Sequence, residues 1–298
     1  MTKHWIRSGL ARVLLFLTAL ALLNAAVASS AAADLQPGLY EIELVSSGLV
    51  RTYDVYVPSS YDGQTAVPLV VDFHGFTDGF DFQRLLSGWQ EKAEDEGFIA
   101  AWPQGLGIIP GWNAETCCGE AVLWNIDDVG FARDLVADLS QRGSIDAARV
   151  YATGLSNGGA LSHYLGCHAA DVFAAVAPVS YMLPVLFEST CNPSRPMPVM
   201  HFHGRYDPIV PYYTGLPPTF RSAPESHDAW ADINSCTDWW PSTTFYQLGS
   251  YCTTYDRCDG DAEVTLCNIR GEHTLYNNLS FIEIPDLAWE FFEAHPLD

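Results

Sequence analysis

Basic side chains are scarce in this chain: 14 lysines and arginines stand against 36 aspartates and glutamates, a formal net charge of −22. A surface of that sign repels nucleic acid and anionic lipid, which excludes both as partners. The acidity itself is read as solubility or salt tolerance. Long apolar runs are missing too, because the extended apolar stretch Val13 to Leu23 falls short of the ~20 residues a membrane-spanning helix needs. No Cys-x-x-Cys occurs, and the single His-x-His, His201-Phe202-His203, lacks convincing partners. No metal and no organic cofactor is therefore expected.

At the N-terminus, Lys3, Arg7 and Arg12 precede that apolar run, and small residues ending Ala31-Ala32-Ala33 follow it. This is the layout of a secretory signal peptide over residues 1–33, cleaved after Ala33, with Ala28 as the weaker alternative. Residues 34–298 are then expected to form one catalytic domain, exported to the extracellular space or the periplasm and monomeric. Removing residues 1–33 leaves 11 of the 14 basic residues and all 36 acidic ones, a charge near −25. No cysteine lies near the cleavage site, so no lipid anchor is expected after processing.

All eight cysteines fall in the mature part. An even number in an exported chain points to disulfides, although eight cysteines allow 105 pairings. Local loop lengths favour Cys167 with Cys191, Cys236 with Cys252, and Cys258 with Cys267. Cys117 and Cys118 are then left as a vicinal pair, unless one of them displaces a local partner.

The most informative segment is Gly154-Leu155-Ser156-Asn157-Gly158. A β-branched strand, Arg149 to Thr153, leads into it, and a small-residue helix start at Gly159-Ala160-Leu161 follows. Strand, Gly-x-Ser-x-Gly, helix is the sharp turn that holds a nucleophilic serine exposed, its glycines allowing the two backbones to approach. Such a serine needs a base and an acid that orients it. The strand Pro198 to His203 runs into the loop Gly204-Arg205-Tyr206-Asp207-Pro208, which makes Asp207 the candidate acid. The strand Val264 to Ile269 runs into Gly271-Glu272-His273-Thr274, which makes His273 the candidate base. The order Ser156, Asp207, His273 is that of α/β-hydrolases. His227, His295, His163 and His168 are weaker bases, since none follows a clear strand.

Negative charge on a tetrahedral intermediate requires an oxyanion hole. One donor is expected from the backbone N–H of Asn157, the other from the loop after Leu69 to Phe73, at Phe76, with Thr77 as its neighbouring alternative. His74 is read as a brace of that loop. Asp127 and Asp128 are read as loop and helix N-terminus devices that accept backbone hydrogen bonds.

Glu41 to Val45 and Thr52 to Val57 alternate as an antiparallel pair around a turn at Ser46 to Gly48. Further strands are expected at Leu69 to Phe73, Phe98 to Trp102 and Phe173 to Val179, and helices over Phe80 to Glu96, Val129 to Gln141 and Pro285 to His295. The alternation implies an α/β fold with a mostly parallel sheet and helices on both faces, active residues gathering at the C-terminal strand ends. Two long segments, Gln104 to Asn125 and Val210 to Pro241, lack strong periodicity. They carry Trp112, Tyr212, Tyr213, Trp230, Trp239 and Trp240, mostly read as packing residues. Trp112 is the best pocket candidate among them, with Tyr212 as a second substrate contact.

His74-Gly75, Gly111-Trp112-Asn113, Thr116-Cys117-Cys118-Gly119, Asp127-Asp128-Val129-Gly130-Phe131, Gly154 to Gly159 and His203 to Tyr212 together resemble the secreted polyhydroxybutyrate depolymerase and feruloyl esterase-like α/β-hydrolases. The resemblance runs from about Leu39 to the C-terminus. It implies a serine carboxylesterase with the triad Ser156, Asp207 and His273, acting on hydroxyalkanoate or on feruloyl or acetyl polysaccharide esters. A peptidase or lipase on the same fold, or a non-catalytic binding protein on a hydrolase scaffold, are the alternatives. One departure is visible, Gly271-Glu272-His273-Thr274 standing where the family usually has a glycine-rich approach and then Trp-Pro. No polymer-binding module is expected beyond the last helix, which would favour soluble or oligomeric esters.

Overall fold

Left-handed backbone at Ser47 (φ 49°) and Gly48 (φ 79°) makes the two-residue turn that matches the twist of a strand pair. The computed structural model accordingly opens on an antiparallel hairpin, β1 (Gly38–Ser46) and β2 (Leu49–Val57), with Ser46 opposite Leu49. It describes residues 35–115, 117–184, 190–215 and 221–297, so the leader expected over residues 1–33 lies outside them.

After the hairpin come β3 (Val67–Phe73), α1 (Phe80–Ser87), α2 (Trp89–Glu96), β4 (Ile99–Pro103), α3 (Gly119–Leu123) and α4 (Asp128–Arg142). Then follow β5 (Ile145–Leu155), α5 (Asn157–His168), β6 (Ala175–Val179), β7 (Val199–Gly204) and α6 (Ala223–Ile233). The chain closes with β8 (Ser242–Gln247), β9 (Ser250–Tyr255), β10 (Val264–Ile269) and α7 (Ile284–Ala294). The strands lie in the order β1-β2-β4-β3-β5-β6-β7-β10-β9-β8. From β4 to β10 every neighbouring pair is parallel, and an antiparallel pair flanks this block on each side. The chain has the α/β-hydrolase fold.

Strand periodicity divides the core between the two faces. On β5, Val150 and Ala152 join a cluster with Phe131, Leu135 and Leu139 of α4 and Leu161 and Leu165 of α5. Tyr151 and Leu155 point the other way, to Trp89 of α2 and Trp289 and Phe292 of α7. The expected helix over Phe80 to Glu96 is in fact two, because Gly88 takes a left-handed conformation (φ 78°) between them. The stretch Val210 to Pro241 is not all loop either. Ser222 and Glu225 form a reciprocal capping box and Pro224 sits in the first turn, which starts α6 there.

The cysteines correct two of the expected pairings. Cys167–Cys191 and the vicinal Cys117–Cys118 form as read, but Cys236 pairs with Cys258 and Cys252 with Cys267. The reason is register: β9 and β10 lie antiparallel with Cys252 directly opposite Cys267, a cross-strand contact that sequence spacing does not reveal.

Both aspartates of the Asp127-Asp128 pair act as structural devices. Asp127 caps α4, its Oδ1 accepting the Gly130 N–H at 2.7 Å, while Asp128 accepts from the Arg51 guanidinium at 2.7 Å and from the Asn113 N–H at 2.7 Å. Arg51 lies 3.8 Å over the Phe131 ring, and the ion pair is buried on both sides. Removing one member of such a pair strands a buried charge. Asp128→Ala is therefore expected to cost about 3 to 5 kcal/mol, read as the shift in denaturant unfolding midpoint.

Candidate active site

Ser156 joins β5 to α5 with φ 55° and ψ −117°, a conformation that non-glycine residues rarely hold unless the surroundings enforce it. The enforcement is visible on both sides. A Cβ on Gly154 would stand 2.6 Å from the Phe73 carbonyl oxygen, and one on Gly158 would collide with the same carbonyl. The Ser156 N–H donates to the Val179 carbonyl at 2.8 Å, which moors the turn to the end of β6.

Asp207 and His273 come together because the loops leaving β7 and β10 touch. Gly204 is what allows it, since any Cβ there would run into the Glu272 carbonyl. Arg205 N–H donates to Ile269 O at 2.8 Å and Tyr206 N–H to Gly271 O at 3.0 Å, holding the two loops side by side. Asp207 Oδ2 then accepts from His273 Nδ1 at 2.7 Å. Its Oδ1 accepts the N–H groups of Ile209 and Val210, both at 2.8 Å, so the carboxylate is buried and fixed in rotation. Ser180, next to Val179, donates its hydroxyl to the His273 carbonyl at 2.6 Å. The end of β6 thus holds both the serine turn and the histidine loop. Among the described residues the Ser156 hydroxyl makes no hydrogen bond, and the His273 side chain is 14% exposed. Hydrogen bonds of this kind commonly tighten only once substrate is bound.

The N–H groups of Asn157 and Phe76 carry no hydrogen bond among the described residues, whereas the Thr77 N–H is spent on the Pro110 carbonyl at 2.9 Å. His74 braces the Phe76 loop as read. Its Nδ1–H donates to Gly75 O at 2.7 Å and its Nε2 accepts the Gly105 N–H at 2.9 Å. Burial holds this imidazole neutral, its pKa pushed down to about 4.

Several supports had no reading in the sequence. The Asn157 side chain accepts the Trp112 N–H at 2.7 Å and donates to the carbonyls of Trp112 and Cys117, both at 3.1 Å, tying the serine turn to the vicinal cystine loop. His203 lies with Nε2 3.6 Å from Asp207 Oδ2 and donates to Val210 O at 2.8 Å, while its Nδ1 takes a hydrogen bond from His201 at 3.1 Å. Buried and pushed down to about 4, it anchors the loop that carries Asp207 without adding charge. The sequence had offered His203 as half of a His-x-His pair at a strand end and as the start of the His203 to Tyr212 block, with no role beside Asp207.

The expected substrate contacts are both buried side chains. Trp112 is wholly buried, its indole N–H bound to His74 O at 2.9 Å and its ring stacked on Phe131. It supports the Phe76 loop from beneath. Tyr212 is 4% exposed and packs edge-on against His203, behind Asp207. The exposed apolar side chains at these strand ends are others: Ile108, Leu123 and Trp124 after β4, and Ile209 and Tyr213 after β7.

No protein-family model matches the chain. Among curated proteins, a feruloyl esterase B from Piromyces equi is 34% identical over 232 residues, 74% of this chain and 42% of that protein. A bifunctional acetylxylan esterase/xylanase from Neocallimastix patriciarum is 24% identical over 256 residues, 84% of this chain and 34% of that protein. The chain spans less than half the length of either relative. Among solved structures, an acetyl xylan esterase from Aspergillus awamori superposes with a TM-score of 0.64 at 17% identity, over 86% of this chain and 99% of the other, which speaks for the fold.

Proposed function

We propose, from the premise that the chain belongs to the polyhydroxybutyrate depolymerase and feruloyl esterase-like α/β-hydrolases, that it is an exported serine esterase cleaving acyl groups from polysaccharide. The observation that carries the reading is the buried Asp207 to His273 hydrogen bond of 2.7 Å, at the strand ends where the strained Ser156 turn and the Phe76 loop each leave a backbone donor unpaired. In this mechanism His273 Nε2 takes the hydroxyl proton of Ser156 as Oγ attacks the ester carbonyl. The developing oxyanion is received by the N–H groups of Asn157 and Phe76. His273 then returns the proton to the departing alcohol oxygen, leaving an acyl-serine. Water deprotonated by the same histidine releases the acid and restores Ser156. Asp207 holds the imidazole in the tautomer that keeps Nε2 free and stabilises its charged form.

Four disulfides among the described residues support export, with residues 1–33 as the leader, and no described helix is long and apolar enough to cross a membrane. Names of the relatives support feruloyl or acetyl groups on polysaccharide as the substrate class. The test compares release of ferulate and acetate from arabinoxylan with cleavage of hydroxybutyrate oligomers and of peptides. An organophosphate is used in parallel to label the nucleophile. We expect stoichiometric label on Ser156 and turnover of the polysaccharide esters. Label elsewhere, or none, ends the serine-esterase reading, and turnover confined to hydroxybutyrate oligomers moves the substrate to polyester.

A further inference from the structure

Trp239 and Trp240 are 89% and 85% exposed, the most solvent-facing indoles among the described residues. They stand on a turn that is firmly held. Cys236 is bonded to Cys258, and Thr237 N–H donates to Arg257 O at 2.9 Å. Asp238 Oδ2 accepts the N–H groups of Arg257 at 2.8 Å and Asp256 at 3.2 Å, and its Oδ1 accepts from Arg257 Nε at 2.5 Å. Two large apolar rings are thus presented to water by a braced frame, where a mobile loop could have folded them away.

The rings border a cleft of 520 Å³ between α6 and β9. Asp228, Asp232, Tyr251 and Thr253 also line it, and neither Ser156, Asp207 nor His273 does. No lysine or arginine lines it either. The adjacent Arg257 is engaged by Asp238, and His227 is turned to the Val264 carbonyl at 2.8 Å and kept neutral by burial. An anionic ligand would meet uncompensated carboxylates here. Asp228 already accepts from the Tyr255 hydroxyl at 2.9 Å, but a purely apolar surface would bury Asp232 without a donor. A neutral sugar chain satisfies both halves of the wall, its C–H faces lying on the indoles and its hydroxyls donating to the carboxylates.

We infer that Trp239, Trp240 and the Asp228–Asp232 side of this cleft form a binding site for neutral polysaccharide, separate from the serine site. It would hold the polymer on the enzyme while ester groups along it are presented elsewhere, raising their effective concentration. The choice of a plant-type glycan rests on the polysaccharide-ester reading above, but the binding itself requires no ester cleavage.

The test is retardation in native gels cast with soluble arabinoxylan, run on the Ser156→Ala chain so that the polymer is not altered. We expect retardation that persists in about 0.5 M salt, since no ion pair is involved. Trp239→Ala/Trp240→Ala should raise the dissociation constant about tenfold or more, with the thermal midpoint unchanged because exposed rings contribute little packing. Asp232→Asn should weaken binding by a smaller factor. Absent retardation, equal retardation of the double variant, or retardation abolished by salt, as a cationic partner would give, each overturns the inference. Retention on polyester granules in place of arabinoxylan overturns it as well. Retardation of a chain that cleaves no ester would leave this site standing and remove the esterase reading alone.

Discussion

Ser156→Ala and His273→Ala are each expected to lower kcat/KM for ester hydrolysis by on the order of 10⁴ to 10⁶, and the double variant by no more than the worse single one. The two side chains share one proton transfer, so once either is gone the other has nothing to act with. The folded state should survive both changes. Ser156 is held by its backbone, through Val179, and His273 by its carbonyl, through Ser180, so truncating either side chain leaves these moorings in place. Initial rates on a soluble ester, with circular dichroism and unfolding midpoints for each variant, decide the matter. Wild-type turnover in either single variant, or losses that multiply in the double, would remove these residues from the chemistry.

Asp207→Asn is expected to lower kcat by on the order of 10³ to 10⁴ with little change in KM. The argument rests on which way the amide must turn. Oδ1 accepts two backbone N–H groups, from Ile209 and Val210, and only the amide oxygen can replace it there. The NH₂ is therefore forced to the position that faces His273 Nδ1. It can donate only to an unprotonated Nδ1, which puts the imidazole proton on Nε2, where the Ser156 proton must be received. Rates and KM measured over a substrate series separate this tautomer defect from a binding defect. Full activity in Asp207→Asn would require another acid, and Asp238 is a poor substitute because it is spent on Arg257 and the Asp256 amide.

The parts of this site that sequence made legible are those fixed by short-range sterics. Gly154, Ser156 and Gly158 announce the turn because its geometry excludes a Cβ at two positions, and Asp207 and His273 are legible as the residues that follow buried strands. Relations between distant segments were not legible. The pairing of Cys252 with Cys267 depends on strand register, which no loop length encodes. Trp112 was read as a wall because aromatic residues in long loops often are, yet its indole N–H finds the His74 carbonyl and its ring finds Phe131, both far away in sequence. The helix Ala223–Ile233 was missed for a different reason. Its starting signal, Ser222 with Glu225, was present in the sequence, but weak periodicity around it hid the capping box.

The cystine joining Cys252 to Cys267 has a kinetic meaning beyond its place in the pairing scheme. It ties the last antiparallel pair of the sheet to β10, the strand that leads directly into His273. An edge hairpin held only by hydrogen bonds can detach in small fluctuations, well below the free energy of global unfolding. Stapled at its inner strand, this edge cannot leave without taking the histidine's own strand along. Amide protons of β9 and β10 should thus exchange as one unit with the sheet centre, and a protease should find no early cleavage site there.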